Sequence, residues 1–243
     1  TSDESLIAYY PFNGNANDES GNGNHGTVYG ATLTTDRLGN TDSAYEFDGQ
    51  ASYIEVPDSS SLDITGPITI SAYIKADFDQ YFRVGLVTKK SEYHPCPGYQ
   101  LFLSDMNDNG VNYARFGLVY IDPEAPNGDA EIYVGSNTAL NDNQWHHIAT
   151  TYDGSNVKMY IEGRLEDVTL FDGLCGENDE PLFIGLYPYA YSDGHGNLPN
   201  ILKGCIDEVR IYNRALSTSE IRQLSGTGYK DSLQSIFLLL LDN

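Results

Sequence analysis

Short runs that alternate apolar and polar residues recur along this chain, and turn-forming Gly, Asn and Asp residues separate them. Ala44-Tyr-Glu-Phe-Asp48, Tyr53-Ile-Glu-Val56 and Ile68-Thr-Ile-Ser-Ala-Tyr-Ile74 are the first three. Tyr99-Gln-Leu-Phe-Leu103, Tyr113-Ala-Arg-Phe-Gly-Leu-Val119 and Ile132-Tyr-Val134 follow. Then come Trp145 to Tyr152, Val157 to Ile161, Leu182 to Gly185 and Ile206 to Tyr212. A period of two puts one set of side chains on a buried face and the other on a solvent face. Many such runs, closely spaced, predict antiparallel strands in a sandwich or barrel. Tyr152-Asp-Gly-Ser-Asn-Val157 places Asp-Gly between two strand patterns and predicts a hairpin.

One helix is expected, near the C-terminus. Ser217 with Glu220 three residues on forms a capping-box pattern, Ile221 and Leu224 supply an apolar side, and Gly226 ends it. So short a helix should pack on one rim of the sandwich. The chain has 243 residues, which suits one large all-β domain. Residues 1–228 read as that domain and 229–243 as a tail or linker. The run from Ile236 to Leu241 is too short to span a membrane, so no membrane insertion is expected.

The formal net charge of −22 argues against nucleic acid, whose phosphates would be repelled. The acids sit in short Asn/Gly loops, where they either solubilise the surface or hold calcium. The loop Asp105-Met-Asn-Asp-Asn-Gly110 lacks the downstream Glu of an EF-hand and reads as a polar turn. Asp18 reads as an Asx-turn residue. His146 and His147 are adjacent on a strand pattern, so they face opposite ways and cannot share a metal. The sequence shows no Gly-x-Ser-x-Gly elbow, no His-Glu-x-x-His and no paired carboxylates on one strand of the kind glycoside cleavage requires. An enzyme is therefore not expected, although scattered Tyr, His and Arg leave a polysaccharide lyase as a minor alternative.

Five segments in order resemble the laminin-G-like jelly-roll family of the concanavalin A-like superfamily. They are Ala8-Tyr-Tyr-Pro-Phe-Asn-Gly14 with Asn17 to Gly26, Tyr45-Glu-Phe-Asp-Gly49 with Tyr53 to Pro57, and Ile68 to Ile74. The fourth runs from Gln144 through Tyr152-Asp-Gly to Gly163, and the fifth from Lys203 to Ser217 with Glu220 and Ile221. Tyr73 stands where the family usually has Trp, and Glu162 where it usually has Asp. The resemblance implies an all-β, antiparallel two-sheet jelly roll. It also implies a structural calcium held by Asp207 with backbone carbonyls of Pro11 and Gly49, the alternative being that Asp207 pairs with a basic neighbour. By the same resemblance Cys205 pairs with a cysteine about thirty residues earlier. That implies a Cys175–Cys205 disulfide with Cys96 free, although any pairing of three cysteines is open from sequence alone. Trp145 falls in a segment matching the family's buried strand.

Tyr187, Tyr189 and Tyr191 alternate along one segment, followed by Asp193, His195 and Asn197. Aromatic faces with Asp/Asn hydrogen-bonding groups suit a sugar, so these six are the candidate ligand residues. The alternative is a Tyr-rich loop covering the sandwich edge. Tyr81, Phe82 and Arg83, with Tyr93 and His94, are second candidates. The expected function is a calcium-stabilised carbohydrate-binding, lectin-like module of a secreted or cell-surface protein, part of a larger multidomain chain, with a polysaccharide or glycan as partner. The alternative is a protein-binding or structural adhesion domain.

Overall fold

The computed structural model describes residues 3–77, 83–90, 97–105, 110–122, 124, 129–188 and 200–227. Their strands are β1 (Leu6–Tyr10), β2 (Thr27–Tyr29), β3 (Thr32–Thr34), β4 (Ala44–Asp48), β5 (Tyr53–Val56), β6 (Ile68–Ala76), β7 (Arg83–Lys90) and β8 (Gly98–Ser104). They continue with β9 (Tyr113–Ile121), β10 (Asp129–Ala139), β11 (His146–Tyr152), β12 (Asn156–Ile161), β13 (Arg164–Leu170), β14 (Leu182–Ile184) and β15 (Lys203–Tyr212), and the helix α1 spans Thr218–Leu224. Two antiparallel sheets result. The first runs β13-β12-β11-β6-β15-β4-β3, with β1 also on β15, and the second runs β10-β9-β8-β7-β14-β5-β2. This is the two-sheet jelly roll that the family resemblance implies, and of the sandwich or barrel that the alternating pattern predicts it is the sandwich.

The alternation sorts side chains between the core and the outside. Along β6, Ile68, Ile70, Ala72, Ile74 and Ala76 join the core; along β8, Tyr99, Leu101 and Leu103 do; along β9, Ala114, Phe116 and Leu118 do. The intervening residues point to the two outer faces. Each fully buried Ile, Leu or Phe contributes roughly 1.5–3 kcal/mol. The Asp-Gly turn forms as expected, with Asp153 Oδ1 accepting the amides of Ser155 and Asn156 at 3.0 and 2.8 Å.

Two strands escape the pattern. Arg83 to Lys90 carries three cations, yet all of β7 beyond Arg83 is buried. Lys89 is possible there because its ammonium meets Asp58 Oδ1 at 2.6 Å, Asp63 Oδ1 at 3.1 Å and the carbonyls of Asn178 and Glu180 at 2.9 and 2.8 Å. Four oxygens offset the cost of taking a charge out of water. Strand β13 is polar and mostly exposed, and it works through side chains. Its Asp167 accepts the Gly135 amide, its Glu166 accepts the amides of Asn137 and Thr138, and its Thr169 donates to the Tyr133 carbonyl. Side chains of the first sheet thereby occupy the free edge of β10.

Helix α1 has the predicted box: Ser217 accepts from the Glu220 amide, and Glu220 accepts from the Ser217 amide. Its place differs from the expectation. Ile221 packs with Ala149, Tyr160, Tyr212 and Leu216, so the helix lies on the outer face of the first sheet, not on a rim. Those outward aromatics leave an apolar patch that a short amphipathic helix buries. Trp145 is also not core: it precedes β11 and is partly exposed.

Candidate functional site

The two outer faces are built from different residues. On the first sheet, His147, Tyr73 and Asp207 form one row, paired across β11, β6 and β15. Tyr73 donates to the Leu224 carbonyl at 3.0 Å and carries the Arg37 guanidinium 3.8 Å above its ring. Arg37 Nη1 donates to Asp207 Oδ2 at 3.0 Å. A bulge in β15, with Glu208 at φ 56°, sets Asp207 in this row. Burial, followed by the neighbouring Glu208, pushes the Asp207 carboxyl up to about 7, against the pull of Arg37. His147 Nε2 lies 2.9 Å from Ser71 Oγ, and burial, with Arg210 and Arg37 nearby, pulls the imidazole down to about 3. His146 faces away, between Asp142 at 3.0 Å and Glu162 at 3.2 Å; these contacts, the one to Glu162 first, raise its pKa.

The implied calcium set does not assemble here. Pro11 follows Tyr10, which pairs with Val209 near the β15 bulge. Gly49 lies at the other end of that strand, where its amide donates to the Leu202 carbonyl and Asp48 pairs with Lys203. Asp207 is four residues further on, about 13 Å at the rise of a strand. The Arg37 guanidinium supplies positive charge at Asp207, so Asp207, Pro11 and Gly49 do not fit one ion. Among the described residues no three His, Cys, Asp or Glu side chains come together as a metal site. The acidic loops have local tasks. Asp18 accepts the amides of Tyr9, Ser20 and Asn24 at 2.8–3.0 Å, an Asx-turn as expected. Asp105 accepts the Gly110 amide at 2.6 Å.

The implied disulfide is corrected as well. Cys175 and Cys205 are both free thiols. Cys175 donates to the Gly98 carbonyl at 3.0 Å, against the second sheet, while Cys205 sits on β15 in the first sheet. The core separates them, so spacing in sequence did not mean contact. Burial pushes Cys175 up to about 12 and Cys205 up to about 11, so both stay protonated. Cys96 lies outside the described residues.

The outer face of the second sheet gathers aromatic and polar side chains from five segments, β7 to β10 and the stretch after β14. Phe102 of β8 pairs with Arg115 of β9, which pairs with Gly135 of β10. In the next outward row Gln100 pairs with Gly117, which pairs with Tyr133. Phe102 meets Tyr133 edge-on with centroids 6.0 Å apart, and meets Tyr187 at 5.8 Å. The Arg83 guanidinium stands 4.7 Å over Phe102 and 5.2 Å over Tyr187, and donates to the Tyr187 hydroxyl at 2.9 Å. Glycine lets these groups lie close: a Cβ on Gly117 would stand 2.6 Å from the Tyr133 ring, and one on Gly85 would strike the Leu186 carbonyl that crosses above it. Lys90 pairs with Glu131 beside the aromatics. Gln100 is 0% exposed; its Nε2 makes long contacts of 3.4 Å to the Tyr133 hydroxyl and 3.5 Å to Glu131, and its Oε1 has no partner. The rim residues Arg83, Arg115, Glu131 and Tyr133 are partly exposed.

Of the six predicted ligand residues, Tyr187 is thus on this face. Tyr189, Tyr191, Asp193, His195 and Asn197 lie outside the described residues, as do Tyr81, Phe82, Tyr93 and His94. Sequence reasoning passed over Gln100, Phe102, Arg115 and Tyr133. One signal was present: Phe102 is a large aromatic on the polar phase of its strand.

The sequence profile of Laminin_G_3, of the concanavalin A-like lectin/glucanases superfamily, matches residues 48–222. The chain belongs to this family. No curated protein matches the family member by sequence. Among solved structures, the binding domain of Paraclostridial Mosquitocidal Protein 1 is 20% identical with TM-score 0.70, over 91% of this chain and 52% of that one. Domain 4 of AbnA, a GH43 extracellular arabinanase from Geobacillus stearothermophilus solved with arabinotriose, is 22% identical with TM-score 0.65, over 90% of this chain and 98% of that one. The binding domain of botulinum neurotoxin serotype D/C is 14% identical with TM-score 0.69, over 93% and 53%. The chain spans about half the length of the two toxin domains, and all three likenesses establish the jelly-roll fold. No helix among the described residues is long and apolar enough to cross a membrane.

Proposed function

We propose that this laminin-G-like domain is a carbohydrate-binding module of an extracellular protein, and that it holds its glycan on the outer face of the second sheet. The observation that carries the reading is the partly exposed Tyr133, backed by the buried Phe102 and Tyr187 and flanked by the partly exposed Arg83 and Arg115 on that face. An uncovered tyrosine ring presents a flat apolar face to the C–H surface of a sugar, and the guanidinium groups beside it supply directional hydrogen bonds. Domain 4 of AbnA, which this chain matches over nearly that domain's whole length, was solved with arabinotriose, and this supports a glycan as the ligand class. Among the described residues of the face Glu131 is engaged by Lys90, and no second carboxylate faces it as a hydrolytic pair requires.

The test is a glycan and polysaccharide array followed by calorimetry on the best ligand, with Tyr133→Ala as the variant. Selective binding that falls at least tenfold in the variant supports the reading. A folded wild-type protein that binds no glycan overturns it and favours a protein partner.

A further inference from the structure

On this strongly acidic chain most described basic side chains are engaged. Arg37, Lys89, Lys90, Lys158, Lys203, Arg210 and Arg214 each pair with a carboxylate, and Arg83 bonds Tyr187. Lys75 on β6 is partly exposed and Arg164 and Arg222 are exposed, where water serves them. Arg115 differs. It is partly buried on the aromatic face, its guanidinium lies against Gly135 where no Cβ intrudes, and its Nε is buried without a partner. The nearby Asp167 carboxylate is committed to the Gly135 amide. A partly buried guanidinium whose Nε has no protein acceptor is poised for an anion: its planar fork matches a carboxylate with two parallel hydrogen bonds.

We propose that Arg115 anchors a single carboxylate carried by the bound glycan, a terminal uronic or sialic type of sugar. The inference rests on the glycan reading and specifies its ligand. Phe102 pairs with Arg115 across one strand spacing, about 4.8 Å. Phe102 itself is buried, but the partly exposed Tyr133 stands on the same outer face, two positions along β10 from the Gly135 that Arg115 pairs with, so a sugar stacked on Tyr133 brings a substituent carboxylate to the guanidinium. The net charge of −22 limits how many anions can come with it. Screening leaves only charges within about 8 Å strongly coupled at physiological salt. A carboxylate seated on Arg115 gains, whereas the remaining charges of a polyuronate meet an acidic surface.

The experiment measures binding of the full chain, at physiological salt, to matched oligosaccharides with and without one carboxylate: lactose against sialyllactose, and galactose-ended against galacturonate-ended chains. Polygalacturonate is included. The acidic member of at least one pair should bind at least tenfold tighter than its neutral partner, and polygalacturonate should bind no tighter than that acidic member. Arg115→Gln should bring the two members within about twofold, and Arg115→Lys should keep part of the preference, with melting curves confirming that both fold. Equal affinity for both members of each pair, an undiminished preference in Arg115→Gln, or polygalacturonate as the tightest ligand would each overturn the proposal. Binding of neutral members with no acid preference sinks only the role of Arg115. Binding of none sinks the glycan reading itself.

Discussion

The two outer faces of the sandwich start from the same kind of strand and end differently. On the first sheet, outward Tyr160 and Tyr212 lie under α1, Tyr73 is bonded to the end of that helix, and Asp207 is met by Arg37. On the second, outward Phe102, Tyr133 and Tyr187 lean on one another, with an unused amide oxygen on Gln100 and an unpaired guanidinium on Arg115 beside them. Both faces keep buried polar atoms without a partner, His147 Nδ1 and Asp207 Oδ1 on the first, Gln100 Oε1 and Arg115 Nε on the second. The difference lies in cover: a helix lies over the aromatics of the first face, while Tyr133 of the second stays partly exposed. An uncovered ring beside charged groups marks a candidate site better than aromatics alone do, because both faces have aromatics.

That contrast can be broken by substitution. The largest effect belongs to Arg37→Met, which strands the buried Asp207 carboxyl and should cost about 3 kcal/mol in urea unfolding while leaving glycan affinity unchanged. A loss of affinity there would show that the first face also binds. Tyr133→Ala should do the reverse, lowering affinity tenfold or more with about 1 kcal/mol of stability lost. Acid should act through the first face. His147 is neutral in the fold with its pKa at about 3, below its ordinary value, so the unfolded chain takes up a proton first as pH falls. Its contribution is intact at neutral pH and lost as pH falls below about 6.5 toward 3, at about 1.4 kcal/mol per unit. Asp207, raised to about 7, works in the opposite sense from about pH 4 to 7, so His147→Gln should leave a variant whose stability falls as pH rises through that window. Ser217→Ala should cost about 1 kcal/mol by removing the helix cap that keeps the first face covered. Smallest of all, a reductant should leave the melting temperature unchanged, because Cys175 and Cys205 are thiols already.

The architecture was legible because alternation is a local property: a few residues around Ile70 or Leu101 suffice to show which phase is apolar. β7 was hidden because its lysines look solvent-facing until Asp58, Asp63 and two carbonyls are brought to Lys89 by the fold. The helix was readable down to its cap, since Ser217 and Glu220 are three residues apart. Its seat was not, since that depends on outward residues of β11, β12 and β15 meeting. The candidate site was less legible still. Tyr187 stood out in a tyrosine repeat, but Phe102, Arg115 and Tyr133 come together only through the register of β8, β9 and β10. The Arg37–Asp207 pair spans 170 positions and joins a turn to a strand, with no motif to announce it.

The covered edge of β10 bears on how such domains live beside one another. Most open sheets end in a row of amides and carbonyls that invites any extended chain to dock. Here Glu166, Asp167 and Thr169 already answer several of those groups, and two of the three bring negative charge. A neighbouring copy that brings an extended segment to β10 finds these amides and carbonyls already taken, so the second sheet does not grow from one molecule into the next at this margin.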